Sequence, residues 1–249
     1  MELVESENLA SQFVSIQVFS RKPDSGNRTV DWILDEADRV QGTFVHVEKP
    51  RPAVLVYGCA ISELKVEHER AVTEGRVVIK SGHSRAIGKN QNTLAGIVAS
   101  HPFLVDEVEC DSAKMEQYLG WENSVVSWLK ETYRDELKSV VRHTDEGHMH
   151  IHAFVLPANL KAADLHPGVA SKKEAVASAI NQGHGRLSAT EIGDKAYTEA
   201  MRIWQDSFYQ AVSIHHGHGR TGPMRPRLTR GQWFAERNRE RVASCRVLG

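Results

Sequence analysis

Apolar and polar residues alternate with period two over Phe13 to Phe19, where Val14, Ile16 and Val18 interleave with Ser15 and Gln17, the pattern of a strand with one buried face. A polar turn, Lys22 to Asn27, leads into TVDWILDEADRV, which predicts a short helix opened by Thr29 or Asp31. Val45 to Val47 and Ala53 to Tyr57 read as strand-like pieces separated by Pro50 and Pro52, whose fixed φ keeps the path extended. From Arg76, VVIK and then TLAGIVAS predict two strands around a polar loop, Ser81 to Asn92. Leu119, Val125, Val126, Leu129 and Tyr133 at helical spacing predict a helix over roughly Ser112 to Leu137. Ser139 to His143 and His148 to Leu156 read as strands around the turn Thr144-Asp145-Glu146-Gly147. A second long helix is expected from about Asp194 to His216, with Tyr197, Met201, Trp204, Phe208 and Val212 on one stripe and Gly217 as its stop. Pro223 and Pro226 then mark an irregular arm before a short helix near Gln232 to Val242. Hairpin-rich strands combined with two long helices predict an α+β fold rather than an alternating parallel sheet.

Composition narrows the class. The 249 residues are 41% hydrophobic, 25% charged and 7% aromatic, which excludes a disordered, collagenous or coiled-coil chain and predicts one large domain or a domain with an appendage. No apolar run approaches the roughly 20 residues of a membrane span, and the acidic start MELVESENLASQF lacks the features of a secretory signal. Cys59, Cys110 and Cys245 are widely spaced and odd in number, so a reduced, cytosolic compartment is expected and a thiolate metal site is not. No GxxxxGK[ST] occurs, and no GxGxxG joins a predicted strand to a predicted helix, which disfavours Walker and dinucleotide chemistry.

The informative stretch is Arg142-His143-Thr-Asp145-Glu146-Gly147-His148-Met-His150-Ile-His152, which holds four of the thirteen histidines. Alternate residues of a strand share a face, so His148, His150 and His152 point together. With a four-residue turn, His143 pairs with His148, and cross-strand partners share a face too. Such imidazoles converge on one divalent ion, and three of them without a fixed fourth protein ligand leave an open position of the catalytic kind. Asp145 and Glu146 stand ready as orienting groups or an extra ligand. The alternative is a solvated histidine-rich strand with satisfied rings.

His143-Thr-Asp145-Glu146 followed by His150-Ile-His152 and Ala-Phe-Val-Leu-Pro157 resembles the HxDE…HxH…P signature of the Mob/Pre plasmid mobilisation relaxases, the MobV branch of the HUH endonucleases. Asp35 to Arg39, His46 to Pro52, Gly96 to Pro102 and GHGRTGPMRPRLTR are also similar, so that most of the chain is covered. The resemblance implies an HUH-type antiparallel sheet with flanking helices and a metal on its central strands, with residues 1–216 as the relaxase-like domain and 217–249 as a basic arm and short helix. It implies an enzyme that nicks one DNA strand at a plasmid origin of transfer, by a transesterification that leaves a 5′-phosphoryl-protein intermediate and a free 3′-hydroxyl. His143, His150 and His152 would then hold the ion, Mn²⁺ or Mg²⁺ with Zn²⁺ admissible, and Glu146 would be a fourth ligand or orienter. The expected partners are DNA, single-stranded or an extruded hairpin, and other mobilisation or conjugation proteins, in a bacterial cytoplasm.

The chain departs from the family pattern at the nucleophile. Where the branch often places a histidine three residues before an arginine, Glu36-Ala-Asp-Arg39 offers a glutamate, whose attack would form an acyl phosphate. His46 and Tyr57 are the alternative nucleophiles, and Arg39 is expected to contact phosphate. A non-catalytic origin-binding protein and a small-phosphodiester hydrolase remain open readings. Residues 216–249 carry eight arginines against two glutamates, +6, which leaves −7 on residues 1–215 of a chain whose total is −1. Arg220, Arg225, Arg227 and Arg230, set among Gly and Pro, are expected to follow a phosphate backbone, with Trp233 near them and Arg85 and Lys89 as lesser DNA contacts. Such a cationic arm favours the DNA readings over the small-substrate one.

Overall fold

The alternation read at Phe13 to Phe19 becomes β1 (Phe13–Ser20), in which Val14 and Ile16 are buried and Phe13 and Gln17 are exposed. The structure is a computed structural model that describes residues 10–44, 47, 49–78 and 82–222. After β1 come α1 (Val30–Ala37), β2 (Val54–Gly58), α2 (Ile61–Glu74), β3 (Arg76–Val78), β4 (Ser84–Ala86), β5 (Asn92–Leu104), α3 (Val105–Cys110) and α4 (Ser112–Tyr133). The chain continues through β6 (Leu137–His143), β7 (His148–Val155), α5 (Pro167–Asn181) and α6 (Arg186–Ala211). Five strands form one antiparallel sheet in the order β1-β5-β7-β6-β2, and β3 and β4 form a separate ribbon. The architecture is α+β, as the hairpin-rich pattern predicts.

Each face of the sheet packs its own core. Ile97, Val140, Ile151 and Ala153 face Tyr118, Trp121, Val125 and Leu129 of α4 and Trp204 and Phe208 of α6. On the other face Leu94, Val141 and Phe154 meet Val30 and Leu34 of α1 and Leu64 and Val72 of α2. β7, flanked by strands on both sides and covered on both faces, is buried along nearly its whole length, which places its histidines at the centre of the molecule. Behind them, Arg142 donates two bonds of 2.7 Å to Glu122, and Tyr118 donates to the same carboxylate at 3.0 Å, tying β6 to α4.

Several expectations need correction. α2 and α5 fall in stretches that carried no predicted element: the buried positions of ISELKVEHERAVTE are only Ile61, Leu64, His68 and Val72, too sparse among charges to be conspicuous. α6 begins at Arg186 rather than Asp194, because its first turns pack only against α5 and keep little apolar pattern. α4 ends at Tyr133 rather than Leu137, since Arg134 takes φ +48° and turns the chain into β6. Its inner stripe runs through Tyr118, Trp121, Val125 and Trp128, and Leu119 is 37% exposed. The polar loop Ser81 to Asn92 contains β4. Val47 is not in a strand, and residues 45, 46 and 48 lie outside the described residues.

Gly217, at φ +68°, ends the turn that follows α6, and Gly219 then lies beside Ser11 in a parallel bridge, so the chain returns to β1 before the arginine-rich stretch. His218 packs its ring 4.9 Å from that of His101 on β5, which also lies edge-on to Tyr118 and Trp121. Burial, reinforced by the neighbouring histidines, pushes His101 down to about 3 and His218 down to about 4. An unfolded histidine binds its proton near pH 6.5, so between that pH and about 4 only the unfolded chain takes up these protons. Stability from this pair is therefore full above pH 7 and falls with pH through that window. Urea unfolding in chelator is expected to show a midpoint that is flat from pH 8.5 to 7 and drops from 7 to 5; a flat profile down to pH 5 would mean that the rings are already charged in the fold.

Candidate metal centre

The β6–β7 hairpin pairs His143 with His150, two residues from the predicted partner His148. A slip of two preserves the face, so the convergence survives while the loop grows. His143, His150 and His152 each offer a ring nitrogen, and these atoms all lie within 4.8 Å of one another. Their ring centroids are 4.6 to 5.2 Å apart. His148 stands outside the group, exposed, with Nδ1 bonded at 3.0 Å to the Pro102 carbonyl.

Carbonyl groups set the tautomers. His143 donates from Nε2 to the Ala37 carbonyl at the end of α1, 2.8 Å away, and its Nδ1 is buried with no hydrogen-bond partner. His150 donates from Nδ1 to its neighbour's carbonyl, His148 O, at 2.9 Å, which leaves the Nε2 lone pair 3.6 Å from a Glu146 oxygen. Burial first, and then the Arg39 and His150 charges, push His143 down to about 4. A neutral ring with a buried, unpartnered acceptor costs about 1–3 kcal/mol unless something binds it. Three convergent imidazoles, two of them oriented by carbonyl oxygens and one presenting such an orphaned Nδ1, fit a divalent metal ion. A carboxylate set overlaps them, since His143, Asp145 and Glu146 also bring one ligand atom each within 4.8 Å.

Beside the imidazoles lies a buried ion-pair network. Thr29 caps α1 by accepting from the Trp32 N–H, and the helix crosses the sheet face to end against His143. Arg39, just past the helix in the left-handed region at φ +56°, turns its guanidinium back toward the hairpin. Nε donates to Asp145 Oδ2 at 2.8 Å, and NH2 donates to Asp145 Oδ1 at 2.7 Å and Glu146 Oε1 at 3.0 Å. NH1 donates to the Glu36 carbonyl at 3.2 Å and to Glu36 Oε1 at 2.9 Å. All five N–H donors of a guanidinium are thereby engaged. Arg39, expected as a phosphate contact, is here a buried hub joining α1 to the hairpin turn. Burial works against its charge, but Asp145 foremost, with Glu36 and Glu146, more than restores it and raises its pKa. Burial likewise raises Asp145, yet the Arg39 bonds and the Arg51 N–H outweigh it and hold the carboxyl below its usual range.

The other sequence candidates are scattered. Tyr57 packs against the core under α4, with Lys130 Nζ 5.1 Å from its ring centroid, on the sheet face opposite the histidines, and so is removed from the site. His46, Arg225, Arg227, Arg230 and Trp233 lie outside the described residues. Arg220 is engaged with α6, donating to Asp206 at 2.6 Å, to Gln205 at 3.3 Å and to the Arg202 carbonyl at 3.2 Å. Sequence reasoning missed the Ala37 carbonyl as the group that orients His143; a backbone contact between distant segments leaves no residue-type signal. Cys59 and Cys110 are unpaired thiols remote from this chemistry, and no helix among the described residues is long and apolar enough to cross a membrane.

No protein-family model matches the chain, and no curated protein does. Among solved structures it is similar to the Mn-bound crystal structure, at pH 6.8, of the MobM relaxase domain (MOBV; Mob_Pre) bound to plasmid pMV158 oriT DNA. The identity is 15% over 91% of this chain and 99% of that one, with a TM-score of 0.54. A second Mn-bound structure of that domain, with a 23-nucleotide oriT DNA at pH 6.5, is 14% identical over 92% of this chain and 99% of that one, at a TM-score of 0.53. The chain therefore has the fold of the MOBV relaxase domain.

Proposed function

We propose that the chain is a metal-dependent relaxase that nicks one strand of DNA at a plasmid origin of transfer. The observation that carries this reading is the buried, unpartnered Nδ1 of His143, set among three convergent imidazoles and next to the Glu36–Arg39–Asp145 network. It is supported by the likeness in fold to a relaxase domain whose structures contain Mn and oriT DNA. His143, His150 and His152 would hold the ion, with Glu146 at its exposed edge. When bound, Mn²⁺ or Mg²⁺, with Zn²⁺ admissible, supplies compensation for negative charge on a phosphoryl oxygen.

Glu36 is the proposed nucleophile. Arg39 donates to its Oε1 at 2.9 Å and fixes its position at the end of α1. Attack by a carboxylate oxygen forms a bond to phosphorus as the bond to O3′ breaks; the leaving oxygen takes a proton from water and becomes the free 3′-hydroxyl. The product is an acyl phosphate joining Glu36 to the 5′ side of the nick. Partners under this reading are single-stranded or hairpin DNA and other mobilisation proteins, in a bacterial cytoplasm. The test is a denaturing-gel assay with Mn²⁺ and labelled supercoiled and single-stranded DNA from the replicon that encodes the chain. A site-specific nick with a protein-linked 5′ end, reduced by at least about a thousandfold in Glu36→Gln, is the expected result. A nick that survives the substitution moves the nucleophile elsewhere. Site-specific binding without a nick favours a non-catalytic origin-binding protein, a reading to which the buried Glu36–Arg39 ion pair lends itself as a structural element.

A further inference from the structure

Among the described residues, α1 and α2 cover the end of the histidine-bearing sheet face that holds Leu94, Val141 and Phe154. Register places Phe13 opposite Ser100, Ser100 opposite His150, and His150 opposite His143, so these four side chains form one row across the sheet. In the next row Ser15, Val98 and His152 stand together. On β1 and β5 these positions are not buried: Ser15, Val98 and Ser100 are partly exposed, and Phe13 is 53% exposed. An aromatic ring therefore ends a floor of small side chains that begins at the metal-binding histidines. At about 4.8 Å between strands, Phe13 stands about 10 Å from His150, a short reach along an extended nucleic-acid strand.

The wall of this floor is α1. The helix starts beside β1, where Arg28 donates to Gln17 at 2.8 Å, and ends at His143 on β6. Asp35 is turned to Lys65 of α2 by a 2.7 Å ion pair, and Val30, Leu34 and Ala37 enter the core. Trp32 and Glu36, four residues apart, share another flank one turn from each other. Glu36 is buried against Arg39, whereas Trp32, nearer β1, is partly exposed and lies outside the core cluster that takes Ile33. It offers part of its ring face one turn from the carboxylate.

We infer that Trp32 and Phe13 are positioning residues that stack unpaired bases of the strand whose phosphate sits at the histidines, over the floor of Ser15, Val98 and Ser100. This rests on the relaxase reading and names two residues that would hold the single strand: aromatic faces accept any base but need it unstacked.

Binding is measured by fluorescence anisotropy with a fluorescein-labelled single strand of mixed sequence and with its duplex, on the full chain. Trp32→Ala and Phe13→Ala are each expected to weaken single-strand binding by about tenfold and leave duplex binding unchanged, while Trp32→Phe recovers most of the loss. Phe13 is 53% exposed, so Phe13→Ala is expected to leave thermal unfolding unchanged, and Trp32→Phe, which keeps an aromatic ring, separates stacking from the packing that Trp32→Ala removes. Single-strand affinity that stays at the wild-type value in the Trp32→Ala/Phe13→Ala double variant overturns this inference alone. Wild-type protein that binds neither single strand nor duplex overturns the relaxase reading beneath it.

Discussion

Replacing His150 and His152 together by alanine is expected to abolish the binding of one Mn²⁺ per chain, weakening it by at least about a thousandfold, since two of three protein nitrogens are lost and His143 alone cannot hold the ion. The same change should leave the fold standing, because Phe154 and Val141, beside the rings on the same sheet face, keep the core. Isothermal titration with Mn²⁺ reads the stoichiometry directly, and thermal unfolding with and without Mn²⁺ reads it by linkage, since an ion bound only by the folded chain raises its melting temperature. His143 is held near 4, so no proton has to leave it at pH 6 for a metal to bind. Stoichiometric Mn²⁺ retained in the double variant would remove the basis of the centre.

Arg39→Met is expected to destabilise the chain by about 3–5 kcal/mol, because Asp145, with no exposed side-chain surface, and Glu36, at 7%, would keep their burial and lose their cation. In a domain of this size that lowers the melting temperature by about 10 °C. Arg39→Lys should recover only a minor part, since one ammonium carries three donors and cannot reach the partners that a planar fork of five satisfies. Adding Asp145→Asn to Arg39→Met should return a part of the loss, a coupling that a double-mutant cycle measures. A loss below about 1 kcal/mol in Arg39→Met would mean that the carboxylates are solvated and that the hub does not organise the site.

The local pattern carried much of the site. Period-two spacing put His150 and His152 on one face whatever the turn, and because the true pairing differs from the expected one by two residues, His143 still joins them. An error of one residue would have sent His143 to the α4 face, where Arg142 and Val140 lie. The short helix was legible with Thr29 or Asp31 as its opener, and the cap formed is that of Thr29, which accepts from the Trp32 N–H. By contrast, α2 and α5 were illegible: α2 covers the core with few apolar positions among charges, and α5 packs on α6 with only Gly168 and Ala179 buried. Glu36 and Arg39 could be singled out by spacing and likeness, but their relation could not be read from it. It depends on a left-handed backbone at Arg39 and on the hairpin turn arriving from more than a hundred residues away.

By itself the sequence determined what local chemistry determines: the α+β class, the histidine hairpin, a short helix opened by Thr29 or Asp31, and the presence of a carboxylate where the similar family often has a histidine. Tertiary structure decided which of the four histidines converge, that His143 keeps an unpartnered Nδ1 because a carbonyl on another element takes its Nε2, and that Arg39 is saturated instead of open to phosphate. The physical reason is range. Periodicity and capping are settled by neighbours within a turn or a strand pair, whereas tautomers, burial and donor saturation depend on groups that meet only when α1 is laid across the central strands.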